Sequence, residues 1–231
     1  MEYRPEIVAS SDRDRALVVF LVAAVLVIAL EVAGPFAWVI PLKGVPVVAL
    51  AVRLRKAVPA PRSSAMTAAL LLGAVGDVTL PLGMVFRSNA PFLVGMIAFL
   101  VGHLFFIATF VREREPTPGR VATAWTIVLA AGLAMTRIVP LLGEKSVPVA
   151  VYGTVLATMA ASAALRRSPG HRVLAGAVLF VLSDGLIGTR LATRPHPLFA
   201  PAIFVTYFAA QFLLSDGWLR DVRAEAGHGA A

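Results

Sequence analysis

LLGAVGDVTLPL, residues 71–82, reads as the interior of a membrane-spanning helix with a carboxylate, Asp77, set inside it. An ionised side chain at the centre of a bilayer costs at least ~2.5 kcal/mol, so a residue of this kind is a functional candidate by default. The composition around it supports the membrane reading: 58% of the chain is hydrophobic, 15% is charged, and the mean hydropathy is +0.83. Soluble domains are about 45–50% apolar and about 25% charged.

Apolar stretches of roughly 18–20 residues are the length a helix needs to cross the hydrocarbon layer. They predict eight spans, near 16–34, 37–52, 65–83, 91–111, 121–140, 147–165, 173–190 and 198–216. The expected fold class is therefore an all-α membrane protein in a single integral membrane domain, 1–231. Residues 1–14 and 217–231 are left outside the array, each too short to bury a core of its own. The first fifteen residues balance three arginines against four carboxylates, unlike the basic start of a cleaved signal peptide, so the first span is expected to stay as an anchor.

Of the 21 lysines and arginines, fifteen fall in the N-terminus, the 53–64, 112–120 and 166–172 loops and the C-terminal tail. The other six, Lys43, Arg87, Arg137, Lys145, Arg190 and Arg194, fall on the opposite side. The positive-inside rule then puts both termini in the cytoplasm, which fits a bacterial inner membrane. The net charge of +8 reads as this topology signal plus attraction to anionic lipid headgroups, with no nucleic-acid partner, because the basic residues are scattered over short segments. Membrane lipids are expected partners, and association of further copies of the chain stays open.

There is no cysteine, so disulfides, thiolate nucleophiles and Cys-based metal sites are excluded. Only His103 of the four histidines lies within a span; His171, His196 and His228 lie outside, which argues against a three-histidine zinc centre in the membrane. Neither a G-x-S-x-G elbow, an H-E-x-x-H helix nor a Walker loop occurs. No cofactor and no metal are expected.

An internal repeat raises the weight of Asp77. PLKGVPVVALA, 41–51, matches GEKSVPVAVYG, 143–153, through K-x-V-P-V at Lys43 and Lys145. LLLGAVGDVTL, 70–80, matches AVLFVLSDGLI, 177–187, which sets Asp184 opposite Asp77. Each half would hold four helices, an even number, giving two parallel four-helix repeats with a ligand site where they meet. The two aspartates would then lie at similar depth, slightly past the middle of outward-running spans, with Lys43 and Lys145 near the outer boundary on the same side.

Gly73, one turn before Asp77, and Gly188, one turn after Asp184, leave room for close approach of a neighbouring helix or a ligand chain. Tyr207 and Gln211 share a face of the last span, and His103 lies between Phe99 and Ile107 on its own. Structural roles compete with functional ones at each position. The structural alternative is interhelical hydrogen bonding for the aspartates and for the Tyr207–Gln211 pair, packing for His103, and snorkelling for Lys43 and Lys145. Glu31, Arg87, Arg190 and Arg194, near span ends, read as solvated interface residues.

Taken in order, these residues resemble a known family. Lys43-x-x-Pro46, Gly76-Asp77-Val78, Phe99-Leu-Val-Gly102-His103, Pro148-Val-Ala-Val-Tyr152 with Met159, Phe180-x-x-Ser183-Asp184 and Tyr207-x-x-x-Gln211 together resemble the YhhN-like lysoplasmalogenase family across essentially all eight spans. The resemblance implies an intramembrane hydrolase that cleaves the vinyl-ether bond of a lysophospholipid, lysoplasmalogen, to a fatty aldehyde and glycerophosphoethanolamine or glycerophosphocholine. It also implies Asp77 and Asp184 as the catalytic pair, with Lys43, His103, Tyr152, Tyr207, Gln211 and Lys145 binding substrate or supporting. One departure is local: the family's lysine is usually followed directly by proline, whereas Gly44 and Val45 intervene here.

The chemistry suits two carboxyls. Vinyl-ether cleavage begins with protonation of the β-carbon and continues with capture of the oxocarbenium ion by water, so it needs an acid and a base. Two carboxyls close together in a low dielectric hold one proton between them and supply both. A proton-coupled carrier with midplane carboxylates, a hydrolase of another lysolipid and a non-catalytic lipid-binding protein are the alternatives.

Overall fold

Eight helical segments among the described residues are long and apolar enough to cross a membrane, and they make this an all-helical integral membrane protein. The computed structural model describes residues 10–34, 37–167, 170–193 and 196–228. The first span is α1 (Ser10–Ala33). The second is composite, with a 3-10 turn at Ala37–Val39, a short α2 (Ile40–Lys43) and then α3 (Val45–Ala57). There follow α4 (Ser64–Val85), α5 (Asn89–Arg112), α6 (Pro118–Ile138), α7 (Ser146–Ala164), α8 (Arg172–Ala192) and α9 (Phe199–His228).

Proline explains two local features. Pro41 and Pro46 occupy the first turns of α2 and α3, where a missing N–H costs nothing, so the second span breaks at Gly44 just after Lys43. Pro81 lies inside α4 and supplies no N–H to the carbonyl four residues back, which is that of Asp77. The carboxylate therefore sits where the helical ladder is already opened.

The last helix departs from expectation. The hydropathy limit at residue 216 made the remainder a tail, yet α9 runs on to His228 as one helix of about 45 Å. Its extension is held by burial of Trp218, Leu219 and Val222 and by ion pairs that hydropathy alone does not register. Asp216 pairs with Arg53 at 2.8 Å and with Arg220 at 2.7 Å. Arg166, only 3% exposed, pairs with Glu113 at 2.6 Å and Asp221 at 3.1 Å, and Trp218 Nε1 donates to Glu113 at 2.8 Å. The Glu115 N–H donates to the Leu165 carbonyl at 2.8 Å and the Arg167 N–H to that of Glu113 at 2.7 Å, so the α5–α6 and α7–α8 connections lie on the same face of the array.

The core runs through the middle of the array, with Met66, Leu70, Phe106, Phe110, Met159, Leu214 and Trp218 buried. On the outside the pattern inverts: Val22 and Val25 of α1 and Trp125, Leu129 and Leu133 of α6 are all more than 60% exposed. In water such faces would be a large apolar patch, whereas lipid tails solvate them.

Close packing between α4 and α5 depends on Gly95, where an added Cβ would lie 2.6 Å from the Leu80 amide nitrogen and 2.8 Å from its Cα. Backbone cannot swing aside as a flexible side chain does. Gly95→Ala is expected to destabilise the fold by roughly 1–3 kcal/mol, the usual cost of overpacking. Thermal unfolding in detergent measures it; an unchanged melting temperature would show that the helices separate freely.

Candidate functional site

Asp77 lies 14th of 22 residues along α4 and Asp184 13th of 21 along α8. Both line one cavity of about 730 Å³. Each carboxylate accepts a hydrogen bond from a tyrosine hydroxyl: Tyr207 of α9 donates to Asp77 Oδ2 at 2.9 Å, and Tyr152 of α7 donates to Asp184 Oδ2. Asp77 is within electrostatic reach of Asp184 and of Lys43, and each phenol is within reach of both carboxylates. Two of the three tyrosines in the sequence are thus committed to these two aspartates.

Supporting contacts fix the phenols. Gln211 Nε2, one turn along α9, donates to the Tyr207 oxygen at 2.9 Å, making a chain from amide to phenol to carboxylate. Ser183, fully buried beside Asp184, donates to the Ile203 carbonyl at 3.2 Å and ties α8 to α9 at the depth of the site. Phe180 meets Tyr207 edge-on at 5.4 Å between centroids and His103 at 4.7 Å, while His103 meets Tyr152 at 5.5 Å. These rings form a wall behind the carboxylates.

Gly76 makes that wall fit. A Cβ there would stand 2.5 Å from two atoms of the Phe99 ring, so only glycine lets Phe99 lie flat on α4 immediately before Asp77. The space anticipated at Gly73 is used as well: its Cβ position is 3.1 Å from Gln211 Nε2 and 3.5 Å from the Tyr207 oxygen. Gly188 faces Ile138 of α6 instead.

Not every candidate reaches the cavity. Lys43, Lys145 and Tyr207 join the two aspartates on its wall. Tyr152 lies with Asp184 on a narrower pocket of about 60 Å³. Gln211 stands behind Tyr207, and His103, 1% exposed, turns its Nδ1 to the Phe99 carbonyl at 2.6 Å. Lys145 lies over the Phe92 ring at 5.1 Å.

Sequence reasoning missed Glu31. Taken as a solvated residue at the end of the first span, it lines the cavity and pairs with Lys43 at 2.9 Å, both side chains about 10% exposed. Lys43 accordingly does not snorkel; it lies against Glu31, with its ammonium 5.1 Å from the Phe204 ring centroid. Arg87 and Arg190, read in the same way as interfacial, also belong to the cavity wall, while Arg194 lies outside the described residues. A charged residue near a span end gives no sequence signal of which way it faces. Among the described residues no group of three or more His, Cys, Asp or Glu side chains is placed to share a metal ion.

The YhhN family model matches residues 36–218. The chain is 34% identical over 155 residues to a protein of Mycobacterium bovis named lysoplasmalogenase, a match covering 65% of this chain and 58% of that one. It is likewise 34% identical over 155 residues to human lysoplasmalogenase TMEM86B, covering 66% of this chain and 62% of the relative. In both cases the match spans less than two thirds of the relative's length. No solved structure matches the chain.

Proposed function

The chain belongs to the YhhN family, and from that premise we propose that it is an intramembrane lysolipid hydrolase cleaving the vinyl ether of lysoplasmalogen. The products would be a fatty aldehyde and glycerophosphoethanolamine or glycerophosphocholine. The observation that carries this reading is the pair of tyrosine-held carboxylates, Asp77 and Asp184, on the wall of one lipid-sized cavity. The names of the relatives in mycobacteria and man support it.

In the proposed mechanism the pair starts with one proton. The protonated carboxyl gives it to the β-carbon of the vinyl ether, and the double-bond electrons form the new C–H bond. The resulting oxocarbenium ion is stabilised by the two carboxylates, which are developing-charge partners already in place before reaction. Water adds to the cationic carbon and loses a proton to one carboxylate, which restores the single-proton state. The hemiacetal then collapses: its hydroxyl becomes the aldehyde carbonyl, the carbon–oxygen bond to glycerol breaks, and the glycerol oxygen takes up the hydroxyl proton. Tyr207 and Tyr152 fix the orientation of the two carboxyls, and Gln211 fixes Tyr207.

The narrower pocket beside Asp184 has room for a few methylenes of the alkenyl chain, the rest lying in the large cavity, and its wall is built mostly from Leu80, Phe92, Met96, Val149, Ile187 and Leu191. Apolar walls with a few convergent polar groups are the usual construction of a ligand site. Val149→Phe is expected to narrow it and to lower kcat/KM several-fold for long-chain over short-chain substrates. A chain-length series measured on both proteins checks this, and an unaltered profile would place the chain elsewhere.

We also propose the two-repeat organisation and the orientation with both termini cytoplasmic. In support of the first, α4 packs along α5 as α8 packs along α9, and α1 packs on α3 as α6 packs on α7. The orientation turns the cavity mouth to the outer face. The decisive experiment incubates the purified protein with a panel of lysolipids and analyses products by mass spectrometry. Aldehyde from lysoplasmalogen is expected; uptake into proteoliposomes without chemistry would favour the carrier reading.

A further inference from the structure

The cavity wall carries more positive charge than its carboxyls can neutralise, with four cations among the described residues against Glu31, Asp77 and Asp184. Lys43 is already matched by Glu31 at 2.9 Å. Three further cations stand on the same wall: Arg87 in the turn between α4 and α5, Lys145 before α7, and Arg190 near the end of α8. They come from segments far apart in sequence and line the same cavity. Among the described residues none of the three has a carboxylate within ion-pair distance.

Arg87 is also the one described residue other than glycine with a positive φ, at 48°. It follows the end of α4, where a left-handed residue is common and is usually glycine, because a Cβ is strained there. Strained positions persist where the surroundings hold them, and they cluster at ligand clamps. Ser88, which follows Arg87 and caps α5, and Asn89, the first residue of α5, belong to the same wall.

We infer that Arg87, Arg190 and Lys145 form an anion site that holds the phosphodiester of the lysolipid headgroup while its chain lies in the cavity below. This inference rests on the lysolipid reading of the cavity. The guanidinium fork matches two phosphate oxygens at once, and the lysine adds a mobile point charge. The spacing is suitable. Arg190 is six residues beyond Asp184 on α8, about 9 Å along the axis. A glycerol unit together with an extended arginine side chain bridges that gap, which lets the vinyl ether at one end of glycerol meet the carboxylates while the phosphate at the other end meets the cations. Glu31 keeps Lys43 out of this set and leaves it beside Asp77.

The test compares lysoplasmalogen with the phosphate-free 1-alkenylglycerol on the full-length protein in detergent, for wild type, Arg87→Gly and Arg190→Gln. Arg87→Gly removes the cation and relieves the backbone, so its melting temperature is expected to hold or rise. In both variants the preference in kcat/KM for the phosphate-bearing substrate is expected to fall at least tenfold, through KM. A preference within twofold of wild type in both variants overturns the proposal.

Binding separates this site from the hydrolase reading. The uncleavable 1-alkyl-glycerophosphocholine is expected to raise the wild-type melting temperature, and to do so less in either variant. That result without aldehyde from any vinyl ether would remove the hydrolase reading and keep the anion site. Inorganic phosphate stabilising the protein as strongly as the lysolipid would overturn the headgroup assignment in favour of a free-phosphate site.

Discussion

Asp77→Asn and Asp184→Asn are each expected to lower aldehyde release from lysoplasmalogen by about 10²–10⁴-fold, the range that a positioned acid or base contributes. Asparagine keeps the size of the side chain and an oxygen that can still accept from the tyrosine hydroxyl, so the bond from Tyr207 or Tyr152 has a counterpart in each variant. The amide neither gives nor takes a proton at neutral pH. Loss of rate with an unchanged elution profile and melting temperature therefore reports on chemistry. The double variant is expected to be no slower than the worse single one, because groups that act as a unit are not additive. Full activity in either single variant would end the paired-carboxylate mechanism.

The second large effect is on stability, at the face of the array that holds Arg166. Arg166→Met is expected to cost about 3–5 kcal/mol, the typical result of breaking a buried ion pair from one side. The reason lies in what remains: Glu113 and Asp221, both pairing with Arg166 Nη2, would face each other without the cation, and the Phe110 ring would lose the guanidinium stacked 5.3 Å from it. Trp218 would still donate to Glu113, but one neutral donor does not offset two carboxylates. Arg166→Lys keeps the charge and loses the fork, so it is expected to fall between the two. Thermal unfolding in detergent reads the order, with Arg166→Met lowest; equal melting temperatures for wild type and Arg166→Met would show that this network is solvated and adds nothing.

The two effects differ in how far they were visible beforehand. Asp77 stands out in LLGAVGDVTLPL because nothing else nearby is charged, and the proposed repeat sets Asp184 opposite it. Arg166 carried the opposite appearance. In the sequence it is one of several basic residues in a short loop, the commonest kind of solvated cytoplasmic charge. Its burial follows from α9 continuing past residue 216 and bringing Trp218 and Asp221 beneath the loop.

Glu31 was hidden for a related reason. At the end of an apolar span a carboxylate is unremarkable, and only the break at Gly44 and the packing of α1 on α2 bring Lys43 to it. Tyr152 entered through the family motif alone; its bond to Asp184 spans 32 residues and two helices, a relation that helical periodicity does not encode.

By itself the sequence determined the eight spans and named the candidate set around the two aspartates. Hydropathy, helix length and the interruptions made by proline are sums over neighbouring residues, so they survive without knowledge of the fold. Only the tertiary structure decided which tyrosine holds which aspartate, that Glu31 pairs with Lys43, and that Arg87, Lys145 and Arg190 line one cavity. Those relations depend on the rotation of each helix about its axis and on which faces abut. In a bilayer, where lipid tails are as apolar as leucine, packing and a few polar contacts fix that rotation rather than hydropathy.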